Sequence, residues 1–177
     1  MRHEIRLSGS GGQGLITAGI ILARAAALFD GKNAVQTQSY GPEARGGASK
    51  SEVIISDTEI NYPKVQAPDV LVALTQEALN KYIKDARSNA VVLIDSLLVK
   101  THPQGIFRLF ALPILQTTAD MLGSVLTANV VTLGVLNKIY TLVSDEALTK
   151  AVTDMFSPKT AELNIKAIRV GAGLVVS

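Results

Sequence analysis

Short, almost wholly apolar segments alternate along this chain with segments whose apolar residues recur at helical spacing. Residues 70–74 and 91–94 carry no charged side chain, which is typical of strands buried on both faces of a parallel sheet. Six strands are predicted, at residues 5–8, 33–38, 49–56, 70–74, 91–94 and 106–112. We therefore predict an α/β fold, a three-layer sandwich with a mostly parallel, Rossmann-like sheet, in a single domain of residues 1–177.

Helices are predicted at residues 14–30, after Thr75, at residues 126–142 and 145–156, and from Pro158 onward. Arg24 is the only charged residue between positions 14 and 29, so the first helix should be buried on most sides. Thr75 and Ser144 are predicted to cap the helices that follow them. Met121 and Met155 are predicted to fill the core from helices.

Composition excludes several classes of function. The 17 basic and 15 acidic residues nearly cancel and are scattered, so nothing indicates nucleic acid as a partner. The absence of cysteine excludes disulfides, thiolate zinc sites and cysteine-ligated iron–sulfur clusters in this chain. His3 and His102, the only histidines, have no partner at metal-ligand spacing. With no signal peptide and no convincing membrane span, the chain is expected to be cytoplasmic.

The first glycine-rich stretch, Gly9-x-Gly11-x-x-Gly14, stands between a predicted strand and a predicted helix and fits the dinucleotide fingerprint. Its glycines permit a sharp turn, and N–H groups at a helix N-terminus favour an anion. The acidic residue expected about 20 residues further on is missing, because Gln38 and Ser39 stand there. Three interpretations stay open: a tight turn that binds nothing, a site for another anion or a partner chain, and a dinucleotide site.

The second glycine-rich stretch, residues 39–49, reads Ser-Tyr-Gly-Pro-Glu-Ala-Arg-Gly-Gly-Ala-Ser. Glycines on both sides of Glu43 and Arg45 permit positive φ and close approach to another backbone. The Arg45 guanidinium offers a rigid fork of donors for a carboxylate or phosphate. From the chemistry alone, an ordinary surface turn with a local ion pair is the favoured interpretation.

The two stretches are most informative together. Residues 9–15 read Gly-Ser-Gly-Gly-Gln-Gly-Leu before an Ala/Ile-rich helix, and residues 36–52 read Gln-Thr-Gln-Ser-Tyr-Gly-Pro-Glu-Ala-Arg-Gly-Gly-Ala-Ser-Lys-Ser-Glu. With residues 69–75, Asn129, Leu133-Gly134 and residues 162–167, this pattern resembles the gamma subunit of 2-oxoacid:ferredoxin oxidoreductases. The second stretch is the more specific part. It looks most like the 2-oxoglutarate-type members (2-oxoglutarate synthase), and pyruvate, branched-chain and indolepyruvate members are close relatives.

The resemblance implies that different subunits hold the cofactors of one reaction. In this family a 2-oxoacid is decarboxylated on thiamine diphosphate, electrons pass through iron–sulfur clusters to ferredoxin, and coenzyme A (CoA) takes the acyl group. The thiamine diphosphate, Mg and iron–sulfur clusters would belong to partner subunits (alpha and beta, and a delta subunit where one exists), and CoA would be a co-substrate. This chain would bind no cofactor alone and would be inactive alone.

No catalytic residue and no metal ligand is assigned. The candidate anion- or partner-binding residues are Gly9, Gly11, Gly12, Gln13, Gly14, Tyr40, Gly41, Glu43, Arg45, Gly46, Gly47 and Lys50. They would either pack on the alpha subunit or add donors to a site for CoA phosphates or a substrate carboxylate. The alternatives are a free-standing dinucleotide-dependent oxidoreductase, a gamma subunit for pyruvate or another 2-oxoacid, and a plain interaction module.

Overall fold

The computed structural model describes residues 1–39 and 48–175 and contains one six-stranded sheet. Its strands are β1 Arg2–Ser10, β2 Asn33–Gln38, β3 Ala48–Ser56, β4 Val70–Ala73, β5 Val91–Asp95 and β6 Arg108–Leu112. All six coincide with predicted strands, and β2 has the predicted bounds. β1 begins three residues earlier than predicted because it pairs with β3 along its whole length.

The strand order is β2-β3-β1-β4-β5-β6. β3 pairs antiparallel with both β1 and β2, while β1, β4, β5 and β6 pair in parallel. Every strand except β3 therefore runs in the same direction, which confirms the mostly parallel sheet. The chain places β2 and β3 on one side of β1 and then β4, β5 and β6 on the other, so the direction of winding reverses between β1 and β4. Ligands of open α/β sheets bind at the carboxyl ends of the strands beside such a reversal.

The helices are α1 Leu15–Arg24, α2 Gln76–Tyr82, α3 Ile114–Leu122, α4 Ala128–Tyr140, α5 Asp145–Met155 and α6 Pro158–Leu174. A π-helical turn, Ala25–Phe29, extends α1, and 3₁₀ turns follow α2 at Ile83–Asp85 and precede α4 at Val125–Thr127. Both predicted caps are confirmed. The hydroxyl of Thr75 accepts from the N–H of Ala78, and that of Ser144 from the N–H of Ala147.

Helices cover both faces of the sheet. Ile5 and Leu7 of β1 point into a core shared with α1, α4, α5 and α6. Leu71 and Ala73 of β4 point to the opposite face, where they pack against α2. The three-layer arrangement is therefore confirmed, with the larger apolar core on the α1 side.

Two features of the helical layer differ from the prediction. Helix α3 was not predicted, because Pro113 stands at its N-cap position and the sequence there has no capping side chain that would mark a helix start. Met121, predicted to fill the core, lies in the last turn of α3 with 58% of its surface exposed. Met155 is partly buried and packs against the main core, as predicted. The prediction that methionines fill the core is therefore right for Met155 and wrong for Met121.

Candidate functional site

The structure brings the ends of both glycine-rich stretches together. We call the region where β1, β2, β4, β5 and β6 end and β3 begins the carboxyl end of the sheet. There Gly9 is paired with Ser49 and Ser10 with Ala48. The Ser49 hydroxyl also donates to the Gly9 carbonyl at 3.4 Å. Antiparallel pairing of β1 with β3 therefore joins two segments that lie about 40 residues apart in the sequence.

The first glycine-rich stretch forms a tight turn that closes on itself. The side-chain carbonyl of Gln13 accepts a hydrogen bond from the N–H of Ser10 at 2.8 Å. A Cβ on Gly9 would overlap that same Gln13 oxygen. Gly12 and Gly14 have φ of 86° and 73°, a region that favours glycine. Gly11 has exposed backbone. Positive φ or a close approach therefore accounts for Gly9, Gly12 and Gly14 in this turn.

Gly14 also joins the turn to helix α4. The Asn129 side-chain amide donates to the Gly14 carbonyl at 3.0 Å, and a Cβ on Gly14 would lie 2.7 Å from the amide nitrogen of Asn129. In the sequence, Asn129 is informative only as part of the family resemblance. Its contact with a residue 115 positions earlier could not be predicted from either local pattern.

Helix α1 starts from this turn with its N-terminus uncapped. Within the described part of the chain, no side chain caps α1 and no acidic residue stands in its first turn. The first-turn N–H groups and the positive end of the helix dipole therefore face the carboxyl end of the sheet, where neither a capping side chain nor an acidic residue of that turn offsets them among the described residues. An anion placed there would be stabilised by roughly 0.3–1 kcal/mol per charge from the dipole.

The second glycine-rich stretch connects the neighbouring strands β2 and β3 at the same end of the sheet. Its flanks are fixed, because Gln38 pairs with Ser51 and the N–H of Ser39 donates to the Lys50 carbonyl at 3.4 Å. The predicted site residues within it lie outside the described residues: Tyr40, Gly41, Glu43, Arg45, Gly46 and Gly47.

Lys50, the last predicted site residue, is engaged in a cluster of charges. Its ammonium contacts the Glu52 carboxylate at 3.0 Å, and only 26% of its side chain is exposed. The same Glu52 oxygen accepts from the Arg6 guanidinium at 2.7 Å, and Arg6 also contacts Asp85 at 2.7 Å. Lys50 and Glu52 share one face of β3, and two charged side chains on one face of a strand predict that this face meets water or a partner. That expectation is wrong for Glu52, because α2 and the turn after it cover this face.

Asp95 ends β5 at the carboxyl end of the sheet and is fully buried. One of its carboxylate oxygens accepts from the N–H groups of Leu97 and Leu98, and the other from the N–H of Leu115. Asp95 therefore caps the turn that follows β5 and links it to the first turn of α3.

Apolar side chains are exposed close to the glycine turn. Leu126 is 86% exposed and Val125 is 51% exposed, and both stand within four residues of Asn129, which contacts Gly14. Large apolar side chains exposed together are typical of surfaces that contact another protein.

No metal or membrane element emerges from residues 1–39 and 48–175. No three His, Cys, Asp or Glu side chains in these ranges converge as metal ligands would. His3 instead contacts the Tyr140 hydroxyl at 3.2 Å. Over the same ranges, no helix combines the length and the apolar character that crossing a bilayer requires.

Comparison with known proteins places the chain in a family. The family model of pyruvate ferredoxin/flavodoxin oxidoreductase matches residues 4–174. The chain is 50% identical to 2-oxoglutarate synthase subunit KorC of Methanocaldococcus jannaschii, covering 97% of this chain and 92% of that one. It is 31% identical to pyruvate synthase subunit PorC of the same organism, covering 94% and 93%. A keto/oxoacid ferredoxin oxidoreductase gamma subunit from Geobacter sulfurreducens superposes with a TM-score of 0.91 at 47% identity, covering 98% and 96%. This chain belongs to the pyruvate ferredoxin/flavodoxin oxidoreductase family.

Proposed function

We propose that this chain, as a single domain of residues 1–177, is the gamma subunit of a cytoplasmic 2-oxoglutarate:ferredoxin oxidoreductase. The assembled enzyme would convert 2-oxoglutarate, CoA and oxidised ferredoxin to succinyl-CoA, CO2 and reduced ferredoxin. The observation that carries the proposal is the 50% identity to a 2-oxoglutarate synthase subunit along nearly the whole chain, against 31% to a pyruvate synthase subunit. The specific second glycine-rich stretch supports the same assignment.

As the proposed gamma subunit, this chain would hold no redox cofactor of its own. Without cysteine it has no thiolate for an iron–sulfur cluster. Thiamine diphosphate, Mg and the clusters would therefore lie in the alpha and beta subunits, and in a delta subunit where one exists. The gamma chain would be inactive alone, and ferredoxin would accept electrons from the complex.

The carboxyl end of the sheet is the part of this chain that would serve the complex. Its main contribution would be assembly, because exposed apolar side chains such as Leu126 stand beside a turn whose glycines permit close approach of another chain. The uncapped N-terminus of α1, together with Arg45 and Lys50, would add donors for CoA phosphates or a substrate carboxylate.

Co-purification tests the assembly role. Leu126→Asp should abolish co-purification with the alpha subunit while leaving the fold intact, because the side chain is almost fully exposed. Ile106→Asp is the matched control, since Ile106 is 71% exposed but precedes β6 at the opposite end of the sheet. Equal recovery of both variants in the complex would contradict the proposed surface.

Steady-state kinetics test the substrate and the anion site. The assembled wild-type enzyme should reduce ferredoxin with 2-oxoglutarate and CoA far faster than with pyruvate. In that enzyme, Arg45→Ala should raise the KM for CoA or for 2-oxoglutarate, because it removes a bidentate donor. If assembly and every KM stay unchanged in Arg45→Ala, the donor role of Arg45 is wrong. A purified chain that oxidises a substrate with NAD unaided would overturn the whole assignment.

A further inference from the structure

Helix α6 borders an open groove in the surface of the helical layer, which we call the α6 groove. Its larger part has a volume of about 1030 Å³ and is lined by the end of α5 and by α6, including Phe156 and Leu163. Its smaller part, of about 380 Å³, is lined by α6 and by Met121 of α3. Lys166 and Arg169 line both parts, so the groove follows α6 from its first turn to its last.

Apolar side chains are exposed along the α6 groove. Met121 is 58% exposed and Leu163 is 41% exposed, while Phe156 and Val170 are partly buried against the margin of the main core. Methionine is common at protein-binding surfaces because its flexible side chain adapts to different partners. Apolar surface of this extent, lying beside charged residues, is typical of a site that another protein covers.

The charges of α6 are mostly basic. Lys159, Lys166 and Arg169 are its cations, and Glu162 is its one acidic residue. Within the part of the chain that the structure describes, none of these three cations forms an ion pair. Lys159 also lies in the first turn of α6, where the helix dipole disfavours a cation. The stability of α6 alone therefore does not account for its basic residues.

The apolar and basic residues form one stripe along α6. Positions that recur at three- or four-residue spacing lie on one side of a helix, here 159, 163, 166, 170 and 173. Gly171, which contacts the α4 backbone, lies on another side of α6. From position 159 to position 173 the stripe measures about 21 Å along the helix axis. A helix of roughly 14 residues laid beside α6 would cover it.

We propose that the α6 groove binds an acidic, amphipathic helix of another subunit of the same enzyme. Apolar residues of that helix would pack on Leu163 and Met121, as in other grooves that receive a helix. Its carboxylates would pair with the cations that have no partner within this chain, Lys166 and Arg169 among them. A small anion alone would neutralise the cations but would leave Met121 and Leu163 in water. The proposal rests on the proposed function, which supplies the other subunits.

Carbodiimide cross-linking of the assembled enzyme tests the charge of the partner, because the reagent joins a lysine to a carboxylate in contact with it. Mass spectrometry should identify Lys159 or Lys166 linked to an Asp or Glu of another subunit, within a segment whose apolar residues recur at helical spacing. Lys150 is the control and should be linked only to Glu146, with which it already pairs. The proposal is wrong if neither lysine is linked to another subunit, or if the links lead to a second copy of this chain or to ferredoxin.

Affinity measurements test the same groove by charge reversal. Lys166→Glu should raise the dissociation constant of this chain for the remaining subunits about tenfold, because it places like charges against each other. Lys84→Glu is the matched control, since Lys84 is also exposed but follows α2 on the other face of the sheet. It should bind as wild type does, and thermal unfolding of both variants should match wild type. Equal dissociation constants for the two variants would overturn the proposal.

The outcomes separate this proposal from the proposed function. A wild-type complex that does not oxidise 2-oxoglutarate would overturn the proposed function, and the cross-links would still show whether an acidic helix occupies the α6 groove. An active complex without those cross-links would overturn the groove proposal alone. A chain that joins no complex would overturn both.

Discussion

Gly171 of α6 lies against the backbone of Val131 in α4 so closely that a Cβ on the glycine would overlap the Val131 carbonyl oxygen. The same Cβ would stand 2.9 Å from the Val131 carbonyl carbon and from the Val135 nitrogen. Gly134 of α4 has the reciprocal relationship with the backbone of Ile168. Two glycines facing opposite helices therefore set the distance between α4 and α6.

Gly171→Ala should destabilise the chain by about 2–3 kcal/mol, because the obstructing atoms are backbone and cannot turn aside. Gly173→Ala in the same helix is the control, since a Cβ there meets nothing within 4 Å. That change should be neutral or stabilising by up to about 1 kcal/mol, as alanine is the better helix former. Urea unfolding of the two variants measures the difference, and similar losses in both would refute the steric explanation.

Gly14→Ala and Gly12→Ala should differ although both glycines have positive φ. Each alanine costs roughly 1–2 kcal/mol for the left-handed backbone. At Gly14 the new Cβ would also lie only 2.7 Å from the amide nitrogen of Asn129, whereas at Gly12 it would meet nothing within 4 Å. Gly14→Ala should therefore lose about 1 kcal/mol more stability than Gly12→Ala. Asn129→Ala should relieve part of this extra loss when combined with Gly14→Ala. Thermal or urea unfolding of the four variants checks the coupling, and strict additivity would contradict it.

Arg6→Met should lower the free energy of unfolding by about 3 kcal/mol, because it leaves the buried Glu52 carboxylate with Lys50 alone. Glu52→Gln in the same chain should recover part of that loss, giving a coupling energy of at least about 1 kcal/mol in a double-mutant cycle. The control is Lys150→Met, which breaks an exposed pair with Glu146 and should cost less than about 0.5 kcal/mol. A coupling near zero would mean that Arg6 and Glu52 stabilise the fold independently.

The pKa of His3 is lowered from its ordinary value of 6.5, chiefly because burial disfavours the imidazolium. Asp69 and Asp57 oppose the shift, and Lys32 and the N-terminal ammonium add to it. The unfolded chain therefore binds the His3 proton more tightly than the folded chain does. The contribution of His3 to the free energy of unfolding is thus fully present above pH 6.5 and is lost as the pH drops toward the lowered pKa. Between pH 7.5 and 5.5, wild type should lose more stability than His3→Gln. If the free energy of unfolding falls equally with pH in the two proteins, the lowered pKa of His3 is contradicted.

The strands were predictable because their signal is local. β4 is a continuous apolar run and β5 is one up to Asp95, and burial on both faces of a parallel sheet demands that composition. The glycine turn was predictable for the same reason, since it depends on backbone conformation within Gly9–Gly14. The family resemblance added the second stretch, whose chemistry alone favoured an ordinary turn.

Contacts between distant residues were not predictable from these patterns. The face of Lys50 and Glu52 reads as polar, and its burial depends on Arg6, which is 46 residues from Glu52, and on Tyr82 of α2. Charges that neutralise each other inside the protein look the same in a sequence as charges that face water. The link between Gly14 and Asn129 spans 115 positions for a similar reason. Only the folded arrangement of the helices over the sheet determines which of these groups meet.

The unbroken register of β1 with β3, from Arg2 opposite Ser56 to Ser10 opposite Ala48, has a consequence for how the chain tolerates changes in length. Successive strand residues point to alternate faces of the sheet. One residue inserted between Ala48 and Glu52 would therefore shift the register of part of β3 and turn the side chains of that part to the other face. Residues inserted between Ser39 and Ala48 would leave every pair of that ladder in place. The sheet itself should therefore tolerate a change of length before Ala48 better than one within the paired residues after it.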